Sequence, residues 1–354
     1  MLSSPLKIGM VGAGFIGQLA HLMNYSQLPN CKVTAIAEMR PILRKKVMEH
    51  YEIDKGYEHH TEMLKDPDVN AVVVVTPRAF TANIVSDCLT AKKHVISEKP
   101  MAGTSEQAAR LVALAAQNEL VYSVGYMKRY DEGVQFVKKY LEDGKAQREL
   151  GDLTFVRAHC FMGDSYCKAD GHVVTDEKAT YEDAGWPMAP DWLPEHLVAQ
   201  YAAFVNCFSH NTNILRYLLG CEPTIGYADT SNPNAQMTAL KFNEVLCSLE
   251  TGKSTNRGWD ESTELFFTDG RITIKTPPPL LKNVPAHVEI YRAGQTQEVY
   301  IPQFPWTWSF RRQASAFVED VLHGRTSISS GMDSLNDLRL IESIWQNSLG
   351  IDTQ

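Results

Sequence analysis

The order of apolar and polar positions divides the chain into two parts. In the first part, short continuous apolar runs alternate with segments whose apolar residues recur at helical spacing. The runs at 7–11, 71–75, 94–97 and 121–124 have the length and the apolar character of strands buried on both faces of a parallel sheet. Strands that alternate with helices predict βαβ units, so we expect an α/β domain over residues 1–125 with a doubly wound, Rossmann-type parallel sheet.

The pattern changes after Gly125. Two helical segments, 130–143 and 197–219, are separated by a strand-like stretch and a long irregular region rich in Gly, Asp, Pro and Trp. Strand-like segments then succeed one another, the first over residues 238–249 and the last ending at residue 301, and two more helical segments end the chain. This order predicts an α+β domain over residues 126–354 with a large, mainly antiparallel, open sheet. We expect its last helix to pack back on the first domain.

A glycine-rich turn follows the first predicted strand. Gly12, Gly14 and Gly17 have the G-x-G-x-x-G spacing. The first glycine permits a tight turn, the second lets a pyrophosphate approach the backbone, and the third lets helix and strand pack closely. Phe15 and Ile16 lead into a helix whose first N–H groups favour a phosphate. The context predicts a dinucleotide site rather than a simple turn.

An acidic residue ends the second predicted strand. Glu38 lies roughly 20 residues past the last glycine, where a carboxylate can bind the hydroxyls of the adenosine ribose. Because a carboxylate repels a 2′-phosphate, NAD is the predicted cofactor. Arg40 follows two residues later and can accept that phosphate or stack on adenine, so NADP stays open as an alternative.

Two further strand ends carry polar residues. Ligands of parallel sheets bind outside the carboxyl ends of the strands, and Thr76-Pro77 and Glu98-Lys99 follow two of the predicted strands. Pro100 biases Lys99 away from helical geometry, so its amine is expected to project from the strand end. A lysine in a partly desolvated site can take part in proton transfer. We predict that these four residues bind the cofactor and that Lys99 is catalytic.

Composition excludes several classes of protein. A net charge of −8 argues against nucleic-acid binding and against a basic membrane surface. No stretch approaches the roughly 18 consecutive apolar residues of a membrane span. Seven cysteines without a C-x-x-C pair are typical of reduced thiols, so a cytoplasmic protein is predicted. The histidines and cysteines lack the spacing of zinc ligands, and no metal is predicted.

Several stretches resemble the Gfo/Idh/MocA family of sugar and cyclitol oxidoreductases. They are Glu98-Lys99-Pro100 after its strand and residues 66–77, 125–131, 209–220 and 310–324. The resemblance covers nearly the whole chain. It implies that Lys99 and His210 match the family's catalytic lysine and histidine and that Glu98 holds the nicotinamide ribose. It also implies that the second domain binds the substrate and that the protein forms dimers or tetramers through it.

One position departs from the family pattern. Many members carry an aspartate four residues before the catalytic histidine, where this chain has Asn206. An asparagine can orient a hydroxyl or fix the tautomer of His210, but it brings no charge. We include Asn206 in the predicted catalytic set, with Lys99, Asn206 and His210 also contacting substrate. Arg129, Arg157 and Trp192 are further candidate substrate contacts, with structural ion pairs and a core aromatic anchor as alternatives.

The predicted reaction is the NAD-dependent oxidation of a secondary ring hydroxyl of a sugar or glycoside, with C3 of a pyranose as the hypothesis. His210 would take the hydroxyl proton while Lys99 hydrogen-bonds the same oxygen. Three alternatives stay open. They are an inositol or other cyclitol dehydrogenase, a glycosidase that oxidises C3 transiently with retained NAD, and a non-catalytic protein that senses sugars or nucleotides.

Overall fold

The computed structural model describes residues 5–180, 186–253 and 258–351. Packing divides the chain into two units. Unit 1 comprises Met1–Tyr126, Ala169–Val198 and Phe310–Leu338, and unit 2 comprises Met127–Lys168, Ala199–Ser309 and Arg339–Gln354. The division into domains 1–125 and 126–354 stays a prediction.

Within the described residues of unit 1, six strands form one sheet. They are β1 Leu6–Val11, β2 Cys31–Ala37, β3 Lys55–Tyr57, β4 Ala71–Val74, β5 His94–Ser97 and β6 Tyr122–Val124. Their order is β3-β2-β1-β4-β5-β6, and every neighbouring pair is parallel. All four residues of β4 are buried, as expected for a strand covered on both faces. The order and the pairing confirm the predicted doubly wound sheet.

Eight strands in the described part of unit 2 form a second sheet. They are β7 Leu153–Met162, β8 Thr224–Asp229, β9 Gln236–Phe242, β10 Val245–Lys253, β11 Asp260–Phe267, β12 Gly270–Lys275, β13 His287–Arg292 and β14 Glu298–Tyr300. Their order is β14-β13-β12-β11-β7-β10-β9-β8, and only β7 and β10 pair in parallel. The predicted large, mainly antiparallel sheet is confirmed.

The helices begin where local chemistry favours them. Over the described residues, the α-helices are α1 Met23–Tyr25, α2 Pro41–Tyr51, α3 His60–Met63, α4 Arg78–Thr90, α5 Ser105–Gln117, α6 Glu132–Glu142, α7 Lys145–Leu150, α8 Val198–Leu219, α9 Ser309–His323 and α10 Gly331–Ser348. The Thr104 side chain begins α5 by accepting the N–H of Gln107 at 3.2 Å. The Asp131 carboxylate begins α6 by accepting the N–H groups of Gly133 and Val134.

Helix α9 completes the core of unit 1. Its residues Ala314, Phe317 and Val318 belong to the same buried cluster as Ile8 of β1 and Ile36 of β2. Burying these apolar side chains removes them from water, which is the main force that holds such layers together. A helix from the far end of the sequence is therefore part of the first unit.

The structure differs from the predicted elements in two respects. Residues 238–249, predicted as one strand, belong to a hairpin in which β9 ends at Phe242 and β10 begins at Val245. Asn243 makes the turn with a φ of 53°, a left-handed conformation that asparagine tolerates and that hydrophobic spacing does not reveal. The short elements β3, β8, α3 and α7 are absent from the prediction, because three to six residues carry too little periodicity.

Candidate active site

The glycine turn after β1 is shaped by close backbone contacts. Gly12 has a φ of 90°, and a Cβ at this position would lie 2.1 Å from the carbonyl oxygen of Val75. A Cβ on Gly17 would lie 2.7 Å from the carbonyl oxygen of Gly12. A Cβ on Gly14 would instead have no atom of the described residues outside its own turn within 4 Å. Gly12 and Gly17 are therefore required by packing, whereas Gly14 leaves room for a ligand to approach the backbone.

A helix starts directly after this turn, as predicted. Phe15 and Ile16 already have helical backbone, and a π-helical stretch, Gly17–Leu22, continues into α1. The N–H of Gln18 bonds the carbonyl of Gly14 at 3.0 Å. The first N–H groups of this helix lie beside the open side of Gly14, where they can bind a phosphate. Single π-helical turns frequently occur at functional sites.

Glu38 follows β2 and is buried beside the same turn. One carboxylate oxygen accepts the N–H of Ala13 at 2.9 Å, and Arg40 bonds both oxygens through its guanidinium at 2.7 and 2.9 Å. Burial opposes the ionised form, but the hydrogen bonds from Arg40 and Ala13 and the charge of Arg40 outweigh it, so the pKa of Glu38 is lowered. Glu38 is therefore an anion next to the turn, and Arg40 is already engaged by it.

The ends of β4 and β5 lie at the same edge of the sheet. Thr76 follows β4, with its hydroxyl 3.3 Å from that of Thr81, and Pro77 begins α4 as its N-cap. Glu98 follows β5, and its N–H bonds the carbonyl of Val74 at the end of β4 at 2.9 Å. The parallel register of β1, β4 and β5 thus brings the predicted cofactor loops together.

The Glu98 carboxylate has a partner that the sequence did not indicate. His21 Nε2, in the π-helical stretch, lies 2.8 Å from Glu98 Oε1, and the backbone N–H of Lys99 bonds Oε2 at 3.1 Å. Burial opposes ionisation of Glu98, but the hydrogen bond from His21 and the positive charges beside it lower its pKa. Lys99 follows in a half-buried position, and the peptide bond between Lys99 and Pro100 is cis.

A segment from the predicted irregular region joins these elements within unit 1. The Gln18 side chain donates to the carbonyl of Val173 at 3.0 Å and accepts its N–H at 2.8 Å. His172 packs edge-on against Phe15, with ring centroids 5.0 Å apart. Glu177 accepts the N–H groups at the start of α2. We name residues 172–177 the strap. No spacing or motif in the sequence connects the strap to the turn, which lies more than 150 residues away.

In unit 2, helix α8 carries the remaining catalytic candidates. His210 is 7% exposed, and Asn206 is half-buried one turn earlier. Next to His210, Asn211 donates to Glu261 Oε1 at 2.9 Å, and the buried Lys128 ammonium bonds the same oxygen. The helix therefore contacts β11 through a buried, charge-assisted network.

The two candidate arginines of unit 2 have structural partners. Arg129 is buried and donates to the side-chain and backbone oxygens of Asn213 on α8 at 2.7 and 3.2 Å. Arg157 lies on β7 and makes two hydrogen bonds to Glu250 at 2.9 and 2.8 Å. It points to the opposite face from its neighbours Val156 and Ala158, which are buried. These contacts favour the structural alternative for both arginines.

Trp192 lies in the segment of unit 1 that precedes α8. It is half-buried, in a turn just before the short 3₁₀ helix Glu195–Leu197. Its neighbour Leu193 is buried. This environment agrees with either of the two interpretations, an aromatic anchor or a surface that contacts substrate.

Neither a cluster of metal ligands nor a membrane-spanning helix is found among the described residues. Over these residues, no three or more His, Cys, Asp and Glu side chains gather in a way that would hold a metal ion. None of the helices in the described ranges is long and apolar enough to cross a membrane.

The carboxyl edge of the first sheet fits a dinucleotide. Gly14 leaves space at the turn, helical N–H groups follow it, and the Glu38 carboxylate stands beside the N–H of Ala13. These features could hold a phosphate at the turn and accept hydrogen bonds from ribose hydroxyls at the neighbouring strand end. Glu98 offers a second carboxylate at the end of β5, which β4 separates from β1.

Comparison with known proteins agrees with this geometry. Residues 6–126 match the sequence profile of an oxidoreductase family described as having an NAD-binding Rossmann fold, GFO_IDH_MocA. The chain is 22% identical to scyllo-inositol 2-dehydrogenase (NAD⁺) of Bacillus subtilis, over 96% of this chain and 93% of that protein.

Two solved structures share the fold over almost the full length. Levoglucosan dehydrogenase in complex with NADH and levoglucosan is 18% identical, with a TM-score of 0.77 and coverage of 99% of this chain and 98% of that one. A 3-ketoreductase from Actinomadura kijaniata in complex with NADP and TDP-benzene is 20% identical, with a TM-score of 0.75 and coverage of 97% and 98%. At this level of identity the likeness demonstrates the fold.

The family match and the full-length relatives confirm the predicted enzyme class, an oxidoreductase that acts on CH–OH groups, and its nicotinamide dinucleotide cofactor. The protein is therefore an oxidoreductase whose residues 6–126 form an NAD-binding Rossmann domain of the Gfo/Idh/MocA family, and it is similar to a cyclitol dehydrogenase over almost its full length.

Proposed function

We propose that the protein is an NAD-dependent dehydrogenase that oxidises a secondary ring hydroxyl of a sugar or glycoside, at C3 of a pyranose. The observation that carries the proposal is the group of polar residues at the ends of β2 and β5. Glu38 follows β2 and lies beside the glycine turn, and Glu98-Lys99 follows β5, which β4 separates from β1. Carboxylates at these two strand ends suit the two riboses of a dinucleotide, and Lys99 then stands at the nicotinamide end.

When bound, the nicotinamide dinucleotide would supply the redox chemistry as the hydride acceptor. The protein's part is to bind and orient it. Gly14 allows the phosphates to approach the backbone, with Phe15 and Ile16 at the helix start, and Glu38 accepts hydrogen bonds from the adenosine ribose. Glu98, kept ionised by His21, accepts those of the nicotinamide ribose.

Side chains of the protein accept the proton of the substrate hydroxyl and stabilise the oxygen that loses it. In our proposal His210 accepts it as general base, and the Lys99 ammonium hydrogen-bonds the same oxygen as negative charge develops there. Asn206 is one helical turn from His210 and orients the substrate through its amide, which can both donate and accept. Because Asn206 carries no charge, the proton transfer is assigned to His210 and the stabilisation of negative charge on the reacting oxygen to Lys99.

Relatives support a ring alcohol as substrate. One structural relative was solved with levoglucosan and another is a 3-ketoreductase, which favours a pyranose oxidised at a ring position. The scyllo-inositol dehydrogenase relative supports a second candidate, a cyclitol dehydrogenase. The two candidates use the same residues and differ only in the ring that carries the hydroxyl. An NAD-dependent glycosidase would add elimination to the same oxidation.

We also propose that the protein self-associates through the second sheet and works in the cytoplasm. Tyr227, Met237 and Leu246 are 53%, 44% and 56% exposed, and strand register puts them on the face of the sheet that also carries Arg157. Apolar side chains on one exposed face favour an interface. All seven cysteines are free thiols, as expected for a reducing compartment.

The test is a spectrophotometric screen for reduced nicotinamide. Purified protein is given NAD or NADP with inositols, free pyranoses and glycosides, and each product is identified by NMR. We expect a 3-keto sugar from a pyranose or glycoside. Lys99→Ala and His210→Ala should each lower kcat by about 10²–10⁴-fold, while the exposed controls Lys65→Ala and His59→Ala keep full activity.

Other outcomes are equally informative. Oxidation of inositols alone would overturn the sugar proposal in favour of the cyclitol dehydrogenase. Cleavage of glycosides without net reduction of NAD would favour the glycosidase. Full activity in His210→Ala would remove that residue from the mechanism.

A further inference from the structure

The strap brings a carboxylate to the start of α2. Glu177 Oε1 accepts the N–H of Ile42 at 3.0 Å, and Oε2 accepts the N–H of Leu43 at 2.8 Å. The Thr175 hydroxyl donates to Oε2 at 3.1 Å, which orients the group further. Burial opposes the ionised form, but the hydrogen bonds from Ile42, Leu43 and Thr175 and the charge of Arg40 lower the pKa of Glu177. At neutral pH Glu177 is therefore an anion at this helix terminus.

The start of α2 would otherwise suit an anion. The first N–H groups of an α-helix have no partner inside the helix, and its dipole favours negative charge there. Helix α2 begins at Pro41, which has no N–H, so Ile42 and Leu43 present the first donors. Both N–H groups donate to the Glu177 carboxylate, so a side chain of the protein itself occupies the place where an anion would bind.

This position adjoins the adenosine end of the cofactor site. Glu38, Arg40 and Pro41 lie within four residues at the end of β2, where Rossmann proteins recognise the 2′-hydroxyl of NAD or the 2′-phosphate of NADP. A 2′-phosphate needs cationic or N–H donors at this place. The Arg40 guanidinium donates two hydrogen bonds to Glu38 and also interacts electrostatically with the Glu177 carboxylate. The Arg40 guanidinium and the first two N–H donors of α2 are thus already engaged by carboxylates of the protein.

We propose that Glu177 is a cofactor-selectivity residue, whose carboxylate fills the anion position at the start of α2 and thereby rejects the 2′-phosphate of NADP. NADH lacks that phosphate and leaves the Glu177 contacts intact. The strap thus adds a second carboxylate to the discrimination that Glu38 provides, and it does so from more than 130 residues away in the sequence. The inference rests on the dinucleotide cofactor, and not on the identity of the sugar.

The experiment measures binding rather than turnover. Dissociation constants of NADH and NADPH are determined by nicotinamide fluorescence with the full-length wild-type protein, Glu177→Gln and Asp176→Asn. Glu177→Gln removes the charge but keeps the size and one acceptor oxygen. Asp176→Asn is the matched control, because Asp176 is the exposed neighbour in the strap and the net charge changes equally.

We expect the wild-type protein to prefer NADH and Glu177→Gln to tighten NADPH binding at least tenfold, with NADH binding changed less than twofold. Asp176→Asn should keep the wild-type ratio of the two constants. Equal ratios in Glu177→Gln and the wild-type protein would overturn the inference, and so would wild-type binding of NADPH as tight as that of NADH. If NADH binds as expected but no sugar is oxidised, only the proposed substrate fails. If NADH does not bind at all, the cofactor assignment and this inference fail together.

Discussion

The carboxyl edge of the first sheet and the helix α8 place their polar residues in different ways. At the sheet edge, Glu38 is held by Ala13, 25 residues earlier, and by Arg40, two residues later. Around α8, the buried partners Lys128 and Glu261 are 133 residues apart, and Arg129 and Asn213 are 84 apart. The first site is assembled from strand ends and the second from long-range packing.

The difference follows from the architecture of each unit. In a parallel sheet every strand ends at the same edge, so residues that directly follow strands meet without further information. Helix periodicity places Asn206 and His210 on one face, but it does not say what that face contacts. The first region can therefore be read from motifs, whereas the second depends on which strands and helices pack together.

The largest expected effect separates two glycines of the same turn. Gly12→Ala places a Cβ 2.1 Å from the Val75 carbonyl oxygen at a φ of 90°, so it should destabilise the protein by about 4 kcal/mol or more. The methyl group of Gly14→Ala would meet no other part of the described structure within 4 Å, so this variant should keep the wild-type Tm and lose NADH affinity instead. Thermal melts and NADH fluorescence titrations check both variants.

This pair tests whether the motif combines a packing role with a ligand role. A Gly12→Ala protein with the wild-type Tm would contradict the backbone contact. NADH binding that is unchanged in Gly14→Ala would show that the open side of the turn is not the place where the cofactor approaches.

The next effect concerns the buried pair beside α8. Lys128→Met leaves the Glu261 carboxylate buried with one fewer cation, and breaking such a pair should cost about 3 kcal/mol. The double variant Lys128→Met/Glu261→Met should recover most of that loss, because two apolar side chains replace both charges. Urea unfolding of the single and double variants measures the coupling.

Lys139→Met is the matched control for the pair. Lys139 is 77% exposed and forms an ion pair with Asp143 within one turn of helix, so its loss should hardly change the urea midpoint. If Lys128→Met were equally silent, the buried pair of Lys128 and Glu261 would not contribute to stability.

The smallest effect is a pH dependence in the first unit. The pKa of Glu38 is lower in the folded protein than its ordinary value of 4.5, so its contribution to stability is fully present above that value and is lost as pH falls through the folded pKa. Tm should therefore vary little with Glu38 ionisation at neutral pH and fall in acid. Glu38→Gln should show a shallower acid fall, and the exposed helix control Glu49→Gln should follow the wild-type curve. Identical acid curves for all three proteins would contradict the prediction.

Residues near the sheet edge also show which contacts the sequence predicts and which it does not. The spacing of Gly12, Gly14 and Gly17 and the position of Glu38 predicted the turn and its acid, because each rests on local backbone geometry. The contact between His21 and Glu98 and the contact of the strap with the glycine turn were not predicted. A buried histidine in a helix and an irregular segment carry no periodic signal that names their partners.

The sequence by itself therefore determined the fold class, the parallel pairing of the first sheet and the position of Glu38 and Glu98 directly after its strands. Local rules govern these features: apolar runs make buried strands, glycines permit the turn, and parallel strands end together. Only the tertiary structure decided that Arg40 is engaged by Glu38, that Arg157 lies on the exposed face of its strand, and that Glu177 reaches the start of α2. These contacts join residues that are distant in sequence or compete for the same partner. Their choice depends on the free energy of the whole fold, in which burial, charge and hydrogen bonding are satisfied together.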